Sequence, residues 1–242
     1  RYEYLKKGDN VVIDAFAGLR EKLETTDLQV VCFLFFPAAV VGPDAEIMRA
    51  RHEEVAPLHP RLCTHELHDT QHDPILAHLE RVGLKNAPAD HVKVVFAPIY
   101  LNGKDAIIKN SFYELLPAFD LTLFPTLYEP WGYTPLESIA YGVPTVTSDL
   151  AGFGRWARGA TRSQAVFVLP RENTEDSHSA HALMRYLGEF VTLSREQRNE
   201  LRVEARRCAG LANWRQFAQA YRSSHSLALA ARDKRMPVLP VV

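Results

Sequence analysis

Ten residues constrain this chain more than any others: Tyr128-Glu129-Pro130-Trp131-Gly132-Tyr133-Thr134-Pro135-Leu136-Glu137. The apolar run Leu121-Thr122-Leu123-Phe124 stands just upstream, ends at Pro125 and reads as a short buried strand. Just downstream, Leu136–Tyr141 reads as a helix, with Pro135 at its first position and Thr134 as its N-cap. Strand, glycine-bearing loop and helix start therefore follow one another directly. That order aims several free backbone N–H groups and the positive end of a helix dipole at one point, which suits a phosphate. Glu129 and Glu137 bracket the loop, and Glu137, in the first helical turn, can face the same pocket as Glu129. Strand–loop–helix units are also the ordinary building block of any α/β protein, so geometry alone does not name a ligand.

The rest of the chain repeats the alternation. Asp9 or Asn10 caps a helix over Val11–Glu24 that carries Val12, Phe16, Leu19 and Leu23 on one face. Leu28–Phe36 is a continuous apolar run of strand length, the mark of a strand buried on both faces of a parallel sheet. A loop over Pro37–Asp44 and a helix over Ala45–Leu58 follow. Asp73-Pro74 opens a helix that Gly83 closes. Val92–Pro98 is a strand, Tyr100–Lys109 a polar loop turning at Asn102-Gly103, and Phe112–Leu116 a short helix. Val143–Thr147 is a strand, Ser148–Gly154 a glycine-bearing loop and Ala165–Leu169 the last strand. From Asp176 to about Ala231 the chain is helical, and Trp214–Leu229 has an amphipathic period. The expected fold class is α/β, a Rossmann-like doubly wound parallel sheet with ligands beyond the carboxyl ends of its strands. The expected division is residues 1–175 for that domain and 176–242 for helices packed on it.

Composition narrows the partners. A formal net charge of −1 leaves no global field to attract nucleic acid or an acidic membrane, so any anion site must be local. No apolar run reaches the length of a membrane span. Cys32, Cys63 and Cys208 match no C-x-x-C pattern, which points to reduced thiols and a cytoplasmic location. His65, His68 and His72 are spaced three and four apart, as metal ligands on one helical face are. However, Thr70, Asp69 and Asp73-Pro74 interrupt any helix there. Arg195, Arg198, Arg202, Arg206 and Arg207 share one helix with Glu196, Glu200 and Glu204, which reads either as a solvated face or as an anion site.

The wording of the central stretch adds a resemblance. Glu129-Pro-Trp-Gly-Tyr-Thr-Pro-Leu-Glu137 resembles the E-x7-E signature of retaining GT-B glycosyltransferases, in the spelling of glycogen synthases of the animal, fungal and related bacterial type. Ala140-Tyr-Gly-Val-Pro-Thr-Val-Thr-Ser-Asp-Leu-Ala-Gly-Phe-Gly154 and Arg1-Tyr-Glu-Tyr-Leu-Lys-Lys-Gly8 are similar to further segments of that family. So is the run from Thr64-His65 to His72-Asp73-Pro74. The resemblance implies the C-terminal half of a GT-B fold, with the domain's first strand and the N-terminal half lying upstream of Arg1. It implies transfer of glucose from a nucleoside diphosphate glucose, UDP-glucose favoured over ADP-glucose, to the non-reducing end of an α-1,4-glucan, with no cofactor and no metal. Arg1 and Lys7 would hold the diphosphate, and Gly132, Tyr133 and Thr134 would bond its phosphates. Glu129 would contact the glucose, and Glu137 the ribose hydroxyls. Phe112, with Tyr113 beside it, lies where the family stacks the base; both rings also read as core. In the family the loop 148–154 lies near the donor sugar. The alternatives left open are a non-catalytic sugar-nucleotide module and a GT-B transferase with another acceptor. A homo-oligomer is compatible with either.

Overall fold

The computed structural model describes residues 3–235. Its first helix comes in two pieces, α1 (Tyr4–Lys7) and α2 (Asp9–Leu23), parted at Gly8, whose φ of +80° is left-handed. Asp9 and Asn10, expected as cap residues, are therefore buried inside α2, and Gly8 takes the cap position.

β1 (Val30–Phe35) is followed by β2 (Val40–Pro43), α3 (Ala45–His52), β3 (His65–Leu67) and α4 (Pro74–Arg81). β2 and β3 pair antiparallel, so a short hairpin-like ribbon replaces the loop expected over 37–44. The Asp44 carboxylate caps α3 by accepting from the N–H groups of Glu46 and Ile47. That helix stops at His52, short of the expected Leu58, and Glu54 turns to a positive φ of 54°. Asp73 and Pro74 open α4 as expected, the Asp73 carboxylate accepting from the Leu76 N–H at 2.9 Å.

β4 (Val92–Ala97) pairs with β1 in parallel over six residue pairs. α5 (Phe112–Leu115) and a 3-10 turn at Leu116–Ala118 lead to β5 (Thr122–Leu123) and α6 (Tyr133–Ala140). β6 (Thr145–Ser148), α7 (Gly152–Ala160) and β7 (Val166–Leu169) complete a three-stranded parallel ladder in the order β5-β6-β7. The glycine-bearing loop expected over 148–154 thus becomes a helix at Gly152, because Phe153, Trp156 and Ala157 make an apolar face worth burying. α8 (Asp176–Val191), α9 (Arg195–Leu211) and α10 (Trp214–Arg235) close the described chain.

The architecture is α/β and Rossmann-like, with β1, β4, β5, β6 and β7 all in parallel ladders. Two ladders, β1-β4 and β5-β6-β7, share one core. Val12, Phe16 and Leu19 of α2, Cys32 and Leu34 of β1, Val94 and Phe96 of β4, Val146, Leu169, and Leu183 and Leu187 of α8 all belong to it. Each fully buried Leu or Phe contributes about 1.5–3 kcal/mol. Among the described residues no backbone ladder joins β1 to β5, so each keeps a free edge. The outer edge of β4, by contrast, is bonded, the Phe96 N–H donating to the Leu62 carbonyl at 2.7 Å.

The arginine run on α9 has a structural use. Arg202 donates to the carbonyls of Pro117 and Phe119 at 2.6 and 2.9 Å, Arg198 pairs with Asp120, and Arg207 pairs with Glu204 one turn away. The contacts of Arg202 and Arg198 pin α9 against the turn before β5. Among the described residues no helix is long and apolar enough to cross a membrane.

Candidate functional site

β5 and β6 both end at the loop 125–132, and Gly8 brings the N-terminal segment against it. The Leu127 N–H and the Thr126 hydroxyl both donate to the Lys6 carbonyl, at 2.8 and 3.1 Å. At Gly8 an added Cβ would stand 2.3 Å from the Pro125 carbonyl oxygen, so only glycine permits the approach. This docking puts Lys7, on α1, beside Glu129: Lys7 Nζ donates to Glu129 Oε2 at 3.1 Å, with both side chains about one-third exposed.

Glu129 is held from the other side by the start of α7. The Gly152 N–H donates to the Glu129 carbonyl at 3.0 Å, and the Phe153 N–H to the Trp131 carbonyl at 2.6 Å. A Cβ at Gly152 would lie 2.2 Å from the Pro130 carbonyl oxygen, which explains the glycine there.

α6 begins one residue before its expected cap. Gly132, at φ +103°, precedes it, Tyr133 is its first residue, and Thr134 lies within it. Pro135 is then the third helical residue and carries no N–H. The free donors at this helix start are those of Gly132, Tyr133 and Thr134, and among the described residues none donates to a protein acceptor. Tyr133 and Thr134 are exposed and Gly132 is buried. A Cβ at Gly132 would fall 3.5 Å from Glu129 Cγ, so the Glu129 stem lies against the helix start.

Glu137 belongs to the second turn of α6 rather than the first, and the structure brings it together with Tyr113 instead of Glu129. The Tyr113 hydroxyl donates to Glu137 Oε1 at 2.9 Å, a bond that pushes the phenol above its ordinary pKa. Tyr113 also stacks on Tyr141 with centroids 5.6 Å apart and planes at 20°. Phe112 is half-buried and meets Tyr113 edge-on at 5.3 Å. Of the two rings in the expected base position, Tyr113 is thus the exposed one, at 48%. Arg1 lies outside the described residues.

Beneath the loop runs a polar network that no local sequence signal marks. The Arg171 guanidinium, fully buried, donates to the Pro125 carbonyl at 3.2 Å and to Asp176 Oδ1 at 2.8 Å. Asn10 donates to the other Asp176 oxygen at 2.6 Å. Asp149 accepts from the N–H groups of Arg171 and Glu172, tying the end of β6 to the end of β7. Beside this network Asp9 is 2% exposed, and burial pushes its carboxyl up to about 8. The three histidines of the possible metal cluster go separate ways. His65 is buried against Thr64, His68 is exposed, and His72 pairs with Asp69. Among the described residues no group of three or more such side chains is placed to hold a metal ion.

The arrangement gathers an ammonium, a carboxylate and a helix N-terminus at the carboxyl ends of parallel strands. Comparisons with known proteins report on the family of the chain. The family model described as glycogen synthase matches residues 44–235. Glycogen [starch] synthase of Dictyostelium discoideum is 27% identical over 296 residues, covering 100% of this chain and 33% of that protein. Glycogen [starch] synthase isoform 2 of Saccharomyces cerevisiae is 33% identical over 175 residues, covering 70% of this chain and 25% of that protein. A crystal structure of WaaG, a glycosyltransferase involved in lipopolysaccharide biosynthesis, matches with a TM-score of 0.48 and 21% identity over 86% of this chain and 40% of that one. The chain spans between a quarter and a third of the length of the two curated relatives. It belongs to the glycogen synthase family.

Proposed function

We propose that this chain is the donor-binding part of a glycogen synthase-type retaining glucosyltransferase, taking glucose from a nucleoside diphosphate glucose. The observation that carries the reading is the meeting of Lys7 and Glu129 beside the open N-terminus of α6. A diphosphate needs cationic and N–H donors together, and here Lys7 reaches Glu129 while the Glu129 stem lies against the helix start that carries the free N–H groups.

The roles follow from charge and reach. Lys7, with Arg1, neutralises the diphosphate and stabilises the charge that grows on it as it leaves. The N–H groups of Gly132, Tyr133 and Thr134 bond phosphate oxygens, and Glu129 contacts the glucose. Glu137 takes the ribose hydroxyls, with Phe112 and Tyr113 at the base. In the transfer the bond from the anomeric carbon to the diphosphate oxygen breaks. A bond to the 4-hydroxyl oxygen of the α-1,4-glucan end forms on the same face, and the acceptor's proton passes to the departing diphosphate. UDP-glucose is the favoured donor and ADP-glucose the alternative. Acceptor groups and the other half of a GT-B cleft come from outside this chain. Three free cysteines fit action in the reducing cytoplasm.

Calorimetric titration with UDP and with ADP tests the reading. UDP binds the unaltered chain, and Lys7→Ala weakens it by about 10- to 100-fold, the size of a charge-assisted hydrogen bond. Glu137→Ala weakens UDP by about tenfold while leaving inorganic diphosphate unchanged. Binding of UDP that is indifferent to both substitutions would sink the assignment, and preference for ADP would reassign the donor.

A further inference from the structure

His78 lies outside every role assigned above, yet both of its ring nitrogens are engaged in a buried site. The residue is 2% exposed. Its Nδ1 meets the hydroxyl of Tyr4, and its Nε2 lies 2.7 Å from Asp14 Oδ1. A ring that donates its Nε2–H to Asp14 leaves Nδ1 to meet the Tyr4 hydroxyl. The Tyr4 and His78 rings also meet edge-to-face, with centroids 5.9 Å apart. Three elements are joined in this way: Tyr4 is on α1, Asp14 on α2 and His78 on α4.

The element that gains most is α1. It is a single turn of four residues, and none of them is buried. A turn of that length has no stability of its own, because nucleation is unfavourable and nothing propagates from it. Its far end is hooked to the loop after β5 through the Lys6 carbonyl. Its near end is held by Tyr4. Lys7, one turn from Tyr4, carries the ammonium that reaches Glu129.

We propose that His78 is a positioning residue for the donor site: through Tyr4 it fixes the one-turn helix α1, and so holds the Lys7 ammonium over Glu129. Asp14 orients the ring from the opposite side. The proposal rests on the reading of Lys7 as a diphosphate ligand. It adds that the preorganisation of this cation comes from a histidine on α4, 71 positions further along the chain.

A double-mutant cycle tests it, read by UDP calorimetry on the full chain. Tyr4→Phe removes only the hydroxyl and keeps the ring packing; His78→Leu removes both hydrogen bonds. Each is expected to weaken UDP about three- to tenfold in the unaltered background and to have no effect in Lys7→Ala. His78→Gln, which retains one polar contact, recovers part of the loss. A merely structural role would give the same loss in both backgrounds, and that result, or no loss at all, overturns the proposal. If Lys7→Ala itself leaves UDP affinity unchanged, the reading of Lys7 fails and the proposal falls with it. Hydrogen exchange at the Leu127 amide, whose acceptor is the Lys6 carbonyl, reads the clamp without nucleotide. It is expected to speed up at least about threefold in Tyr4→Phe. Unchanged exchange in both Tyr4→Phe and His78→Leu overturns the proposal even where UDP binding is too weak to measure.

Discussion

Gly8→Ala is expected to cost about 3 kcal/mol or more of unfolding free energy, among the largest losses available to a single methyl group here. Two terms add. The backbone at Gly8 has a φ of +80°, where a residue with a Cβ loses about 1–2 kcal/mol. The new carbon would also stand 2.3 Å from the Pro125 carbonyl oxygen, a backbone atom that cannot swing aside. Relief requires Pro125 to retreat, and with it the carbonyl that Arg171 holds from below. Urea denaturation measures the loss. Gly159→Ala in α7 is the control, since a Cβ there meets nothing within 4 Å and φ is not positive. That substitution should be neutral or stabilising by about 0.5–1 kcal/mol. Equal stabilities of the two variants would remove the claim that Gly8 is a close-approach glycine.

The neighbouring position should respond in the opposite direction. Asp9→Asn is expected to stabilise the protein at alkaline pH. The Asp9 carboxyl is 2% exposed, and among the described residues nothing donates to its Oδ2. Burial raises it from about 3.8 to about 8, with Lys7 opposing the rise only in part. The folded protein therefore keeps a proton that the unfolded chain releases near pH 4. The contribution of the Asp9 carboxyl to stability is full below pH 4, falls as pH climbs from about 4 to about 8, and levels off above. The slope is about 1.4 kcal/mol per pH unit within that window. Asparagine keeps the shape and removes the titration. The variant should match the unaltered chain near pH 4 and exceed it by about 2 kcal/mol or more at pH 8.5. Stability curves that run parallel across the window would show that Asp9 does not carry the proton.

Much of this architecture is legible in the sequence because its signals are local. The apolar run ending at Pro125, the Asp73-Pro74 helix start and the β-branched strand after Gly142 each carry their own boundary chemistry. The proximity of Lys7 and Glu129 follows from resemblance, and the structure adds the docking that accomplishes it. What stays hidden depends on partners distant in sequence. β2 and β3 pair across some two dozen residues, and Gly8 matters because of a carbonyl at Pro125. Tyr113 takes the carboxylate of Glu137 from a different element, so no spacing rule selects it over Phe112. Arg171 reads as an ordinary loop arginine until the fold encloses it between Pro125 and Asp176. Gly152 and Gly154 look like loop residues because glycine is poor in helices. Their use is to let α7 approach the carbonyls of Pro130 and Ser148.

The docking of α1 has a mechanical meaning for the site. The Lys6 carbonyl is bonded to Thr126 and Leu127, and Gly8 lies against Pro125, so Lys7 travels with the loop that carries Glu129. A row of directional hydrogen bonds resists sliding, whereas apolar side chains slip past one another in small shear steps. Small shear between packed elements elsewhere therefore moves ammonium and carboxylate as one body, and their separation is insulated from the gentlest distortions the fold allows.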